Sequence, residues 1–129
     1  MKSLHQWGLF ALGISAGVVL GQAPGIQRTV VKTQDVSVPG REAVVARVEI
    51  APGASAGRHT HPGEEITYII EGEGELMIDG QPTVKFKAGD AFVVPNGAKH
   101  DARNTTQKPI KLAAVYLVEK GKPLATPVP

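Results

Sequence analysis

The sequence predicts an all-β protein, a sandwich or barrel of short strands, and three observations predict it. Fifteen glycines and ten prolines are scattered along the chain, so short apolar runs are cut at close intervals by residues that favour turns. Those runs alternate or cluster β-branched residues at a period of two, the pattern of strands with one face on a core. No run after residue 21 carries a convincing helical period. At 129 residues, 42% hydrophobic and 20% charged, the chain is one domain's worth, with room for one core and no second.

The elements follow in order. Residues 1–21 differ from the rest: Lys2 is their only charged side chain, and the run from Trp7 to Leu20 is apolar but shorter than the ~20 residues that span a bilayer. A basic start, an apolar middle and small residues at Val19 and Gly21 make this a secretory signal, with a mature start near Gln22. An uncleaved anchor is the alternative. The expected protein is therefore exported, periplasmic or secreted, with no stable membrane insertion after cleavage.

Residues 22–41 form a polar link and a first strand region, with a strand over 28–38. Over 42–53, Val44, Ala46, Val48 and Ile50 fall on one face and Val45, Arg47 and Glu49 on the other, so one face meets a core. Further strands are predicted over 57–61, 65–71, 74–78, 83–87, 91–94, 99–104 and 111–118. Pro62-Gly63, Gly72, Asp79-Gly80, Gly89-Asp90 and Pro95-Asn96-Gly97 separate them as turns. Asp79-Gly80 is the clearest hairpin, because Asp-Gly suits the tight turn that matches strand twist. Residues 42–120 make the main domain. The Pro-rich stretch 121–129 cannot continue a central strand and is expected as a tail, either loose or laid across a neighbouring subunit.

Composition excludes several classes. A net charge of +2 with no basic block or stripe excludes nucleic acid as a partner. With no cysteine, a disulfide framework and a thiolate metal site are both impossible, so any metal takes nitrogen and oxygen ligands.

The chemistry concentrates between residues 53 and 104. In a strand, residues two apart share a face, so His59 and His61 project together. Glu65 opens the next strand after a turn, where it can arrive opposite them, and His100 follows a later Pro-Asn-Gly turn. Three imidazoles and a carboxylate form a borderline donor set suited to Mn, Fe, Ni, Cu or Zn. Four such ligands leave two positions open on an octahedral ion for a substrate oxygen and for dioxygen or water.

These residues stand in the pattern Gly53-x5-His59-x-His61-x3-Glu65-x6-Gly72, followed by Gly89-x5-Pro95-x-Gly97-x2-His100-x3-Asn104. The two segments resemble the first and second motifs of the cupin superfamily with every fixed position filled, at the short spacing of compact microbial cupins. The resemblance implies a single-domain double-stranded β-helix, the cupin jelly-roll barrel, with one divalent transition metal inside it held by His59, His61, Glu65 and His100. It also implies a homodimer, with the Val45 face and the tail as contacts.

Around the motifs, Gly53, Gly72, Gly89 and Gly97 read as backbone devices and Asn104 as a structural hydrogen-bonding residue. Glu64 reads as solvated and Tyr68 as sheet packing; Arg58 and Asp101 flank the ligands in sequence, with a place at the pocket mouth as the lesser alternative. Cupin cages serve several chemistries. The first expectation is a metal-dependent enzyme resembling quercetin-dioxygenase-like cupins, acting on a small organic oxygen-bearing substrate. In it Glu65 is the catalytic residue, either staying a ligand or swinging off to take a proton. The alternatives are a non-catalytic, metal-dependent small-molecule binding protein and a germin-like superoxide scavenger.

Overall fold

The structure, a computed structural model, describes residues 18–19 and 23–129. Apart from Val18–Val19, the segment read as a secretory signal lies outside the described residues. In chain order the strands are β1 Val18–Val19, β2 Ile26–Asp35, β3 Arg41–Ile50, β4 His59–Thr60, β5 Gly63–Glu71, β6 Glu73–Ile78, β7 Val84–Lys87, β8 Ala91–Val94, β9 His100–Arg103, β10 Ile110–Glu119 and β11 Thr126–Pro127. There is no helix among the described residues, and hence none long and apolar enough to cross a membrane.

All strand pairs are antiparallel. A large sheet runs β1-β2-β3-β10-β5-β8 and a small one β11-β4-β9-β6-β7. The predicted all-β class is therefore the observed one. The core lies between the sheets and follows the period of two. Val44, Ala46, Val48 and Ile50 of β3 are all buried, as their alternation predicts, and β10 buries Ile110, Leu112, Ala114, Tyr116 and Val118 opposite them in register. From the small sheet, Leu76, Phe86 and Ala102 close the other side. β2 pairs with β3 along its length, with an irregularity between Val30 and Lys32.

Asn104 behaves as its sequence reading requires. Fully buried after β9, it donates through Nδ2 to the carbonyls of Ile50 (3.1 Å), Ala51 (3.2 Å) and Lys108 (2.7 Å), and its Oδ1 accepts from the Thr106 backbone at 2.9 Å. One side chain thus ties the end of β3 to the loop before β10.

Three expectations are corrected. Pro62-Gly63 is not a free turn: Gly63 begins β5, and a Cβ there would stand 1.8 Å from the Leu117 carbonyl oxygen. Its glycine serves close approach of two backbones. The Asp79-Gly80 hairpin is not the tight two-residue form, which needs positive φ at both central residues. Only Gly80 has it, at 78°; Asp79 and Gly80 still make a turn, closed by Gln81 N–H on the Ile78 carbonyl at 3.0 Å, and the β6–β7 ladder resumes at Leu76 and Val84. Finally, the tail is not loose. β11 pairs with β4 of the same chain, and Val128 N–H donates to the Arg58 carbonyl at 3.0 Å. Proline is tolerated there because β11 is the sheet's outermost strand.

Candidate metal centre

The four motif residues come together from both sheets. His59 of β4 and His100 of β9 are direct cross-strand partners in the small sheet. Glu65 lies on β5 of the large sheet, opposite Tyr116 of β10 and Val94 of β8. His61 lies where the chain crosses from one sheet to the other. All four are buried, and one donor atom from each falls within 4.8 Å of the others.

Each imidazole is oriented by a backbone carbonyl. Nδ1 of His59 meets the Gly57 carbonyl at 2.5 Å, Nδ1 of His61 that of Leu124 at 2.7 Å, and Nδ1 of His100 that of Ala98 at 2.8 Å. A carbonyl only accepts, so in each ring Nδ1 carries the hydrogen and the neutral Nε2 presents a lone pair. The predicted Pro-Asn-Gly turn has a part in this. Ala98 N–H closes it on the Pro95 carbonyl at 3.1 Å, and the Ala98 carbonyl at its end is the one that His100 meets.

Those lone pairs converge. His59 Nε2 and His61 Nε2 stand 3.2 Å apart, and Glu65 Oε1 lies 3.0 Å from His61 Nε2 and 3.5 Å from His100 Nε2. His100 Nε2 is buried with no hydrogen-bond partner. Acceptors facing acceptors in a dry interior repel one another, and a single shared proton would satisfy one pair only. A cation among them satisfies all four. Donors about 2.1 Å from one ion stand roughly 3.0 to 3.4 Å from their neighbours, close to the spacings found. The donor set thus fits a transition metal.

The second oxygen of Glu65 is fixed separately, accepting from Thr67 Oγ1 at 2.7 Å. Burial raises the Glu65 carboxyl, but a proton or cation shared with His100 and His61, together with the bond from Thr67, outweighs it and holds the group well below the usual carboxylate range. Burial also lowers the His59 imidazole from 6.5 to about 4, opposed by its bond to Gly57 and aided by His100, His61 and Arg28. Between those two values the unfolded chain binds a proton that the folded chain refuses, so stability falls as pH drops through this window. Glu65, depressed when folded, adds a loss below 4.5, in the same direction. The metal-free protein is expected to lose about 3 kcal/mol between pH 7 and pH 4, at ~1.4 kcal/mol per pH unit of the His59 window. Urea midpoints across that range check this, and a flat profile would refute it.

Two residues absent from the sequence reading complete the wall. Arg28 of β2 is 6% exposed and donates from Nε to the Tyr116 hydroxyl at 3.0 Å. The Tyr116 ring centroid lies 4.7 Å from that of His61. Burial, then the negative charge of Glu65, push the Tyr116 hydroxyl far up, so it stays a neutral donor. The period of two in the strand over 111–118 is the signal that could have found Tyr116, which is buried with Leu112 and Ala114. Nothing in the local sequence of Arg28 marks it.

With His59, Glu65 and His100 these two line an inner chamber of about 20 Å³, room for about one water. A wider mouth of about 320 Å³ adjoins it and shares Ile26, Arg28, Ala56 and His59. Arg58 lines that mouth and pairs with Asp79. Asp101 lines neither space. Tyr68 is 53% exposed on the outer face, away from the ligands. A separate depression on the outside of the large sheet, lined by Arg47, Glu49, Ile70 and Lys111, touches none of the four ligands.

Fold and site together define a double-stranded β-helix protein with a His-His-Glu-His metal-binding group. The chain belongs to the cupins: the family model described as Cupin domain matches residues 46–116. It is 39% identical over 74 residues to an oxalate-binding protein of Thermotoga maritima, a match covering 57% of this chain and 60% of that protein. It is 40% identical over 62 residues to an acireductone dioxygenase of Rhodopseudomonas palustris, covering 46% and 37%. The chain thus spans less than two thirds of either relative's length. A crystal structure of an uncharacterized conserved protein with a double-stranded beta-helix domain, from Klebsiella pneumoniae, superposes with a TM-score of 0.65 at 25% identity, covering 84% of this chain and 90% of the other.

Proposed function

We propose that this cupin is an exported, metal-dependent enzyme, dioxygenase-like, that acts on a small organic substrate bearing oxygen. The observation that carries the reading is the convergence of three imidazole lone pairs and one ionised carboxylate in a chamber with a mouth to solvent. A bound divalent ion (Fe, Mn, Ni, Cu or Zn) supplies Lewis acidity toward a substrate oxygen and, if redox-active, an electron path to dioxygen. The rest belongs to the chain. The mouth admits substrate, and the narrow chamber limits the water beside it. Glu65 Oε2 is tied to Thr67, which leaves Oε1 facing His61 and His100 as the atom to hold the ion or, off it, to take a proton from a substrate hydroxyl.

Glu65→Gln keeps the shape and removes the base. Turnover is expected to fall by about 100-fold or more, the usual contribution of general-base catalysis, with a smaller loss of metal. Oxygen consumption and metal content, measured on the same preparation, check this. Undiminished turnover by a rigorously metal-free wild type would sink the mechanism.

A second reading, a metal-dependent binding protein without turnover, is favoured by the tightness of the chamber and by the relative named an oxalate-binding protein. Mass spectrometry of a candidate substrate after incubation separates the two. A superoxide scavenger would cycle its metal with no organic substrate.

The reading includes a homodimer. Val93, Ile66, Val115 and Val45 lie side by side across β8, β5, β10 and β3 on the outer face of the large sheet. Tyr68 and Ile70 are exposed beside them, and so continuous an apolar row suits burial against a copy. Sedimentation is expected to give twice the chain mass, and Ile66→Lys to give monomer. A wild type that sediments as monomer at micromolar concentration would overturn it.

A further inference from the structure

Two of the three imidazoles are oriented from close by. The carbonyls that meet Nδ1 of His59 and of His100 belong to Gly57 and Ala98, each two residues earlier in the chain, so they are in place wherever β4 and β9 form. His61 differs. Its Nδ1 donates at 2.7 Å to the carbonyl of Leu124, 63 residues later, in the segment that follows β10 and carries β11. The orientation of one ligand therefore depends on a part of the chain that can leave without unmaking the strands that hold the others.

That segment is lightly held. β11 is two residues long, and its partner is β4 at the margin of the small sheet. Pro123, Pro127 and Pro129 bring no N–H to it. It is fastened by the Val128 N–H on the Arg58 carbonyl at 3.0 Å, by the Arg58 guanidinium on the Pro129 carbonyl, and by the Leu124 side chain packed against the core. A margin with few backbone bonds opens at a fraction of the free energy of global unfolding. Its inner side meets the centre: Pro127 is the cross-strand partner of His59, and with Ala125 it walls the mouth of the chamber. Lifting the segment therefore widens the way to the ligands and frees the His61 ring in one movement.

The two states differ in what His61 offers. With the Leu124 carbonyl in place, the hydrogen is held on Nδ1 and Nε2 presents a lone pair, the form that an ion needs. With that carbonyl gone, the hydrogen is free to sit on Nε2 and donate to Glu65 Oε1, 3.0 Å away, which takes Nε2 out of ligation. An ion thus favours the docked segment, and by linkage the docked segment favours the ion by the same factor.

We propose that residues 121–129 form a strap that gates the centre. It docks when an ion binds, because the Leu124 carbonyl holds His61 in its ligating form, and it lifts for the ion to enter or leave. Leu124 is a positioning residue that acts through His61 and does not touch the ion. This rests on the reading of the four converging residues as a metal site.

The test follows exchange of single amides in the full wild-type chain, metal-free and with excess zinc, after the zinc stoichiometry has been measured. In the metal-free protein the Val128 amide is expected to exchange far faster than that of buried Ala114 in β10, the mark of the strap opening alone. Loss of one outer hydrogen-bond partner of a ligand typically costs 10- to 100-fold in metal affinity. By reciprocity zinc should slow Val128 exchange by about 10- to 100-fold, and leave unchanged the Asp90 N–H, which closes the β7–β8 turn on the Lys87 carbonyl.

A second measurement locks the strap. Thr60 and Thr126 are partners two residues along the ladder from the bond between Val128 and Arg58. They are therefore a hydrogen-bonded pair with Cα atoms about 5.5 Å apart, a span that a disulfide bridges, and Thr60 faces away from His59 and His61. In a chain with no other cysteine, Thr60→Cys combined with Thr126→Cys should release zinc to a chelator at least tenfold more slowly when oxidised than when reduced. Zinc bound with no slowing at Val128, or equal release from the locked and unlocked forms, would overturn the strap while leaving the metal centre standing. A wild type that holds no zinc would overturn both. If the disulfide does not form, the exchange comparison still decides.

Discussion

Replacing His100 with alanine is expected to leave a folded protein that no longer retains stoichiometric metal. The His100 Nε2 atom is buried without a hydrogen-bond partner, but Nδ1 donates to the Ala98 carbonyl at 2.8 Å and the ring is buried, so truncation leaves a cavity and an unmet carbonyl. The metal-free variant should therefore melt below the metal-free wild type. With metal the gap widens. Loss of a single outer hydrogen-bond partner of a ligand typically costs 10- to 100-fold in affinity, and loss of the ligand itself should exceed about 100-fold. Since binding to the folded state alone stabilises by RT ln(1 + [L]/Kd), the wild type should gain melting temperature on adding metal and His100→Ala should not. Metal analysis of the purified proteins and paired thermal melts check both halves. A variant holding one equivalent of metal as tightly as the wild type would remove His100 from the centre.

Gly63→Ala should be the most damaging single methyl among the described glycines. A Cβ at that position would meet the Leu117 carbonyl oxygen at 1.8 Å, the Leu117 carbonyl carbon at 2.7 Å and the Val118 Cα at 2.8 Å. All are backbone atoms of β10, the strand paired with β5 at Gly63 and Val118. No rotamer can yield, so the strands must part, two residues from Glu65 and one from Tyr116. The expected loss exceeds about 4 kcal/mol, the range reserved for core or backbone disruption, with most of the protein insoluble. Gly80→Ala makes the control. Gly80 has φ of 78° but nothing within 4 Å of the added Cβ, so only the ~1 to 2 kcal/mol of left-handed strain applies. Urea unfolding of the two variants should rank them in that order. Comparable stabilities would mean that β5 and β10 can separate at Gly63 without cost.

The two glycines show where local reading stops. Gly80 was recognisable as a turn glycine because Asp-Gly between two apolar runs carries its own signal. Gly63 follows a proline and looked the same, yet its role is set by a strand more than fifty residues away. The Pro-rich tail gave a similar half-answer. Lack of N–H groups correctly barred it from a central strand, but not from the sheet edge beside β4. There the neighbouring Leu124 carbonyl orients His61, 63 residues earlier in the chain.

By itself the sequence determined the class of fold, the inward face of β3, the structural role of Asn104 and the identity of the four converging donors. Each depends on patterns that act over a few residues: alternation sets which face is buried, turn residues set where the chain reverses, and fixed spacing puts His59 and His61 side by side. Only the tertiary structure decided what surrounds those donors. Arg28 and Tyr116 lie 88 residues apart and meet because β2 and β10 both pair with β3. Pairing between distant strands is chosen by the fit of whole faces, so the charge, size and opening of the chamber became visible only once the sheets were closed on each other.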